Sequence, residues 1–525
     1  KMIKNIKKYK PKFMAIAQKS KKKSRVVVIG AGIGGLTAGA LLARKGYEVR
    51  IFDQAIVPGG CASTFKRRGF TFDVGATQVA GLESGGIHHR IFTELEIEPP
   101  AATMCDPACA VFLPGESEPI NVWRDADKWK AERQRQFPGS EPFWQLMNRL
   151  FQASWKFQGR DPVLPPRNAW DLWQLVSAVR LDTLITVPFT LMTVGEALKL
   201  YGLYEDKRLK TFLDLQLKLY SQVNTDETAL LYAATALAVS QSPSGLFHLQ
   251  GSMQVLSDRL VAGLEKYDGK LLMRHSVEQI HTEKNRVTGI TVRNQKTGET
   301  YKKDADEVVA NVTAQDLVKL LKPNSPNGSG RSFLNYKRRV DKLPQASGAF
   351  VVYLGVKQAA IPHNCSPHLQ FLYNQDEPIG ENNSLFVSVS KLGDGRAAAG
   401  QATIIASSFT DVDMWWKGTE EDYSHLKQQY TNEAIARLGE YFQLIPENII
   451  YTEAATPRTF ARFTARDKGI VGGIGQRVST FGPFGFANRT PLKHLWLVGD
   501  STHPGEGTAG VSYSALTVVR QILQR

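Results

Sequence analysis

Cysteine is scarce in this sequence. The 525 residues hold four, Cys61, Cys105, Cys109 and Cys365, too few for a disulfide framework in a chain of this length and in keeping with a reducing compartment. No second Cys/His pair lies near Cys105 and Cys109 at zinc spacing, so buried thiols are expected there and no metal centre. Long apolar runs are also missing: no run is long enough to span a bilayer, and the longest candidate, Ala229 to Val239, has the length of a buried helix. Any membrane contact is therefore expected to be peripheral. Internal repeats are absent, and one stretch lacks acid altogether. Residues 1–25 contain eleven Lys or Arg, which accounts for most of the net charge of +15 and leaves the other 500 residues nearly balanced. Residues 1–23 read as a basic, disordered arm, with attraction to an anionic membrane surface or removal as a targeting peptide as the competing readings, and no nucleic-acid partner is expected.

What is abundant is glycine at turns. Arg25 to Ile29 is a β-branched run of the kind that makes a buried parallel strand, and it ends at Gly30, where the pattern changes to helical spacing. Gly30, Gly32 and Gly35, with Gly34 between them, fill a G-x-G-x-x-G frame: a tight turn, a close approach of a pyrophosphate to the backbone, and close packing of helix on strand. Leu36, Ala38, Leu41 and Leu42 give the helix an apolar face, Gly46 ends it, and Tyr47 to Phe52 reads as the second strand. Asp53 closes that strand, about 20 residues beyond the glycines, where a carboxylate accepts hydrogen bonds from ribose hydroxyls. The free N–H groups of the helix start would face the phosphates.

Two more glycine turns follow, at Pro58-Gly59-Gly60-Cys61 and at Asp73-Val74-Gly75, the latter closing a strand from Gly69. So many close backbone approaches suggest one large planar ligand, more than a nicotinamide site alone needs. The adjacent His88 and His89 read as a solvated or satisfied pair. From Glu141 to Ser240 the chain turns aromatic and helical, with Trp144, Trp155, Trp170 and Trp173 at helical spacings. Leu181 to Leu203 continues this layer with few charges, either as ordinary core or as a surface that dips into a bilayer. Strand and helix signals then alternate from Gly251 to Ala310, and four alternating runs between Ala349 and Ser408 predict a second, mostly antiparallel sheet. At the C-terminal end, Leu495 to Val498 is a buried strand, Gly499 to Gly510 a glycine-rich loop, and Val511 to Leu523 a helix. Its Gly499-Asp500 offers a carboxylate for polyol hydroxyls, and the helix start offers N–H groups for an electron-rich carbonyl edge. A flavin has both features.

On Pro58-Gly59-Gly60 with Phe72-Asp73-Val74-Gly75, Gly251-Ser252-Met253-Gln254, Thr456-Pro457-Arg458, and Gly499-Asp500-Ser501-Thr502-His503-Pro504-Gly505 with Gly510-Val511, the chain resembles the carotenoid desaturase and isomerase family of the amine-oxidase superfamily, from Arg25 to its C-terminus. Within that family the Thr-His-Pro-Gly loop is similar to that of the desaturases, and the chain looks most like the cyanobacterial C-3′,4′ desaturases. The resemblance implies FAD, held by Gly30, Gly32, Gly34, Gly35, Asp53, Gly59, Gly60, Gly75, Val277, Gly499, Asp500, Gly510 and Val511. It also implies a carotenoid substrate, a quinone or oxygen as electron acceptor, and peripheral membrane association on the cytoplasmic side, at a thylakoid or plasma membrane if the source is cyanobacterial. His503 and Glu506 are the titratable side chains of the loop expected nearest the ring, so either could accept a proton. The implied fold is α/β: a Rossmann-type FAD-binding domain built from 24–140, 241–345 and 445–525, with an interleaved α+β substrate domain from 141–240 and 346–444. Carotenoid cis-trans isomerase, flavin amine oxidase and a non-catalytic prenyl-lipid carrier of the same fold are the alternatives.

Overall fold

The computed structural model describes residues 24–321 and 331–524; the basic arm of residues 1–23 lies outside them. A five-stranded parallel sheet runs in the order Lys270–Met273, Glu48–Asp53, Arg25–Ile29, Glu307–Ala310, Leu495–Leu497. Val26 to Ile29 and Val308 to Ala310 are buried in these central strands, which is why they read as continuous apolar runs. The register places Ile29 beside both Phe52 and Ala310, and Ala310 beside Leu497, so the carboxyl ends of four strands share one edge. Strand order reverses at Arg25–Ile29, and ligands of open parallel sheets bind at such a switch point. The helix Ile33–Arg44 is buried along Ile33 to Ala43 and not on one face only. It is held between the sheet and the helices Gln254–Lys266 and Thr508–Leu523, and the small residues Gly34, Gly39 and Ala40 permit that.

A second sheet has seven strands in the order Ile449–Ala455, Gly348–Lys357, Gln401–Thr410, Ser384–Val389, His368–Leu372, Cys109–Phe112, Ile120–Val122. It is antiparallel except where Cys109–Phe112 lies parallel to His368–Leu372. This departs from the expected boundaries, which gave 24–140 and 445–525 wholly to the first domain. Cys109–Phe112 is a short buried run, and its partner lies some 260 residues on, so no local pattern could assign it to a sheet. Cys105 and Cys109 are free, buried thiols, and burial pushes Cys109 up to about 12.

A buried ionic cluster joins the loop between Ser384–Val389 and Gln401–Thr410 to the strands Phe70–Asp73 and Leu246–Leu249. Arg396 donates to Asp73 Oδ2 from Nη2 at 3.0 Å and to Asp394 Oδ2 from Nη1 at 3.1 Å, while His248 Nε2 lies 2.9 Å from the same Asp394 oxygen. Asp73 also accepts from Met253 N at 2.8 Å and Thr64 Oγ1 at 3.0 Å, which ties the Gly251-Ser252-Met253 turn to the second glycine turn. Such a cluster is stable only with every charge partnered, so it fixes how that loop of the second sheet meets the two short strands.

The helical layer of 141–240 is present as Glu141–Gln158, Ala169–Ala178, Lys207–Ser221, Leu230–Ala238 and shorter pieces. Leu181 to Leu203 is not one helix. It breaks into Leu181–Leu184, a 3₁₀ turn at Val187–Phe189 containing Pro188, and Val194–Leu200, which Thr193 and Glu196 start with a capping box.

Candidate active site

Each glycine of the first turn is required by a neighbour. Gly30 has φ +93° and donates its N–H to Phe52 O at 2.8 Å. A Cβ on Gly35 would lie 2.0 Å from Gly30 O, and one on Gly32 would lie 2.8 Å from Asn311 Nδ2. A Cβ on Gly34 would lie 2.9 Å from Asn311 Oδ1 and 3.3 Å from Val511 O. The space is thus shaped by backbone, with the Asn311 amide in its middle. Asp53 closes the rim: its Oδ2 accepts from Ala31 N and its Oδ1 from Ala55 N, both at 2.7 Å. Burial pushes the Asp53 carboxyl upward, and these two backbone bonds oppose the shift. Gly59, at φ +116°, donates its N–H to Ala31 O at 2.8 Å, so the second glycine turn closes on the first. Gly60 follows at φ +57°, and a Cβ on Gly75 would lie 3.0 Å from Cys61 O.

The C-terminal loop meets the first turn, although nearly 470 residues separate them. Gly499, at φ +117°, donates to Ser514 Oγ at 3.1 Å, and a Cβ there would lie 3.1 Å from Asn311 Oδ1. Gly510 packs over the loop, since a Cβ would lie 2.6 Å from Gly505 O. His88 is the satisfied histidine expected: buried, with Nε2 3.0 Å from Ser512 Oγ and Nδ1 2.7 Å from Ala80 O, and burial lowers it to about 4. Asp500 is buried and forms an ion pair with Arg466. Val277 lies elsewhere, on the strand His275–Glu283, half-buried against the apolar cluster of Ile29 and Phe52. Its strand packs against Glu48–Asp53, so it flanks the Asp53 end of the sheet.

Glu506 and His503 differ in the way that matters for proton transfer. Glu506 accepts from Gln222 Nε2 at 3.2 and 3.0 Å and from Gly473 N at 3.2 Å, yet loss of water outweighs these bonds and raises its carboxyl to about 8. His503 sits between Phe481 and Tyr513, and burial lowers it to about 4. Its Nε2 lies 3.2 Å from Gln158 Oε1; with that ring nitrogen as donor, Nδ1 is a buried lone pair without a partner. In its ionised fraction a group near 8 has the basicity to keep a proton it accepts at neutral pH and one near 4 does not, so burial separates two residues that the sequence left equal. Tyr232, whose hydroxyl burial also raises, and Phe481 close the apolar wall beside them.

Asn311, Arg466 and Gln222 were not legible as site residues. Only Asn311 carried a signal, its place at the end of a buried strand, and that signal becomes specific once the strand is known to sit beside Arg25–Ile29. The glycine cradle fits a dinucleotide, and the Asp500 carboxylate beside the N-terminus of Thr508–Leu523 fits a polyol chain and an electron-rich ring edge. No group of three or more His, Cys, Asp or Glu could hold a metal ion among the described residues.

Residues 28–95 match the NAD(P)-binding Rossmann-like domain. Prolycopene isomerase 2 of an Oncidium hybrid cultivar is 26% identical over 514 residues, covering 94% of this chain and 83% of the relative. A 4,4′-diapophytoene desaturase of Methylomonas sp. is 24% identical, covering 95% of each. Among solved structures, cyclohexylamine oxidase from Brevibacterium oxydans covers 96% of this chain and 100% of its own with a TM-score of 0.61; at 15% identity it is a likeness of fold.

Proposed function

The relatives of this chain are carotenoid desaturases and isomerases, and from that premise we propose that it is an FAD-dependent carotenoid desaturase, with C-3′,4′ desaturation as the specific activity. The observation that carries the reading is the closure of two distant glycine-rich motifs on one another with Glu506, a half-buried carboxyl near pKa 8, beside them. Gly30, Gly32, Gly34, Gly35, Gly59 and Gly60 would hold the dinucleotide, Asp53 its ribose, and Asp500 with the Gly510-Val511 helix start its ribityl chain and ring edge. Bound there, FAD supplies the hydride acceptor. Desaturation also releases a proton from the neighbouring carbon, and Glu506 in its ionised form takes it. Neutral His503, Phe481 and Tyr232 keep water from the reacting carbons. Quinone or oxygen serves as the final electron acceptor.

Carotenoids extracted from a producing host that expresses the protein will absorb at longer wavelength, with at least one added conjugated double bond. An unchanged number of double bonds with an altered cis/trans ratio fits the isomerase reading instead, which the isomerases among the relatives favour. Release of peroxide on adding amines supports an amine oxidase, and a protein that purifies without flavin supports a lipid carrier.

We infer attachment to a membrane, and an inverted surface supports that reading. On the helix Ala169–Ala178, Asp171 points inward to Arg489 and Gln521, each at 3.0 Å, and Gln174 is bonded by Arg520. Outward stand Leu172, Trp173 (65% exposed) and Val176, followed by Leu181 (86%), Leu184, Ile185, Val187 and Leu191. A surface pocket lined by Leu191, Val478, Phe484 and the Glu227–Arg477 ion pair opens beside them. No described helix is long and apolar enough to cross a membrane. Polar residues inside and apolar ones outside suit a bilayer interface. Changing Trp173, Leu181 and Leu184 to Asp will reduce flotation with neutral vesicles by about a hundredfold, at roughly 1 kcal/mol or more for each side chain. Deleting residues 1–23 will weaken binding to anionic vesicles only, and most at low salt. Full-length protein that stays entirely in solution beside carotenoid-loaded vesicles would refute the attachment.

A further inference from the structure

Gln222 carries two oddities at one contact. It follows the helix Lys207–Ser221 in a left-handed conformation, φ 67°, which a residue other than glycine adopts at a cost. Its side chain is buried, with Nε2 on both Glu506 oxygens and Oε1 without any hydrogen-bond partner. Backbone contacts keep the turn in place: Lys218 Nζ donates to Gln222 O at 3.1 Å and Gln476 N to Ser221 O at 2.9 Å. On the far side, a Cβ on Gly472 would lie 2.3 Å from Glu506 Oε2 and 2.4 Å from Gln222 Nε2. The turn is glycine because the amide and the carboxyl fill the place of a side chain.

We propose that Gln222 is a positioning residue that partners the Glu506 side chain in both of its protonation states, a role that rests on the reading of Glu506 as proton acceptor. With Glu506 ionised, Nε2 donates to the carboxylate as observed. With Glu506 protonated, a half-turn of the amide about its last torsion presents Oε1 to the carboxyl O–H and satisfies the acceptor that is otherwise orphaned. The proton taken from the substrate carbon becomes that O–H, and no movement of the helix is needed to accommodate it. The other titratable groups that face Glu506 act through space: Asp500 raises its proton affinity and Arg466 lowers it, with Cys61 and Tyr232 also in range. None of these four has a hydrogen bond to Glu506 among the described residues, so the amide is the side chain that can discriminate the two states.

The test uses full-length flavin-loaded protein and the variants Gln222→Leu and Gln222→Asn. Asparagine suits the left-handed backbone and keeps an amide one methylene too short, so it preserves the fold if leucine does not. The carboxyl C=O band of Glu506 is followed by infrared spectroscopy across pH, with Glu506→Gln identifying the band. The midpoint is expected to move up by about one pH unit in both variants, because of the two bonds lost the charge-assisted one to the carboxylate is the stronger. At pH 7 turnover should fall about tenfold with KM unchanged and recover at higher pH, in proportion to the ionised fraction. An unshifted midpoint with an unchanged pH profile in either folded variant overturns the role. A shifted midpoint in a protein that converts no carotenoid upholds Gln222 as partner of Glu506 and removes the desaturase reading alone.

Discussion

Replacing Gly35 by alanine will yield a protein without flavin colour. The added Cβ would stand 2.0 Å from Gly30 O, a backbone atom at the tightest point of the first turn, and 3.1 Å from Asn311 Cβ. The oxygen cannot yield, because Gly30 itself is fixed by its N–H bond to Phe52 O and by a φ of +93°. The helix Ile33–Arg44 cannot slide away either, being buried along nearly its whole length. The turn must therefore open, and the N–H groups that would face the pyrophosphate lose their common focus. We expect a loss of about 3 kcal/mol in stability, the upper part of the range for overpacking, together with loss of bound flavin. Gly46→Ala is the control. That glycine also has positive φ, +88°, but a Cβ there meets nothing within 4 Å, so the change should cost about 1 kcal/mol and leave the yellow colour intact. If Gly35→Ala retains flavin as the unaltered protein does, the first turn is not the cofactor cradle.

Glu506→Gln will lower desaturation by about a hundredfold or more, the usual worth of a positioned proton acceptor. The pH dependence gives the sharper signature. The folded pKa, about 8, lies above the ordinary carboxyl value of 4.5, so the group is protonated in the folded protein across the window where an unfolded chain has already lost its proton. A proton acceptor must be ionised, so the rate should climb as pH rises through about 8, and the glutamine variant should lose that limb. Stability runs the opposite way. Between about pH 4.5 and 8 the folded state binds one more proton than the unfolded, so stability falls as pH rises through that window. Glu506→Gln should flatten that slope. A variant that keeps both the rising limb and the stability slope would place the proton acceptor elsewhere.

The glycine cradle was legible because its signals are local. A glycine frame after a β-branched run, an acid closing the next strand and a Gly-Asp before a final helix each state their geometry within a few residues, and the structure brings Gly30, Asp53 and Gly499 to one sheet edge. The second sheet was legible as four runs of alternation but not in full. Cys109–Phe112 and Ile449–Ala455 join it through partners far away in the chain, and pairing at that distance leaves no local mark. Glu506 and His503 stood together in one loop, and only their surroundings separate a carboxyl near 8 from an imidazole near 4. Arg466 and Gln222 come from turns with no motif at all. Leu181 to Leu203 was ambiguous between core and membrane face because composition is the same for both. The contacts of Asp171 decide the orientation of the neighbouring helix and leave Trp173 and Leu181 outward.

The proposed reaction is oxidation of a carotenoid by a flavin at the meeting of the two glycine motifs. It is tested most directly by mixing the purified, oxidised protein with a carotenoid in vesicles, without oxygen, and recording one visible spectrum over time. The yellow flavin bands are expected to bleach while a longer-wavelength polyene absorption grows, one double bond formed for each flavin reduced. Polyene bands that change only in cis/trans character while the flavin stays oxidised, or a protein with no flavin to bleach, would contradict it.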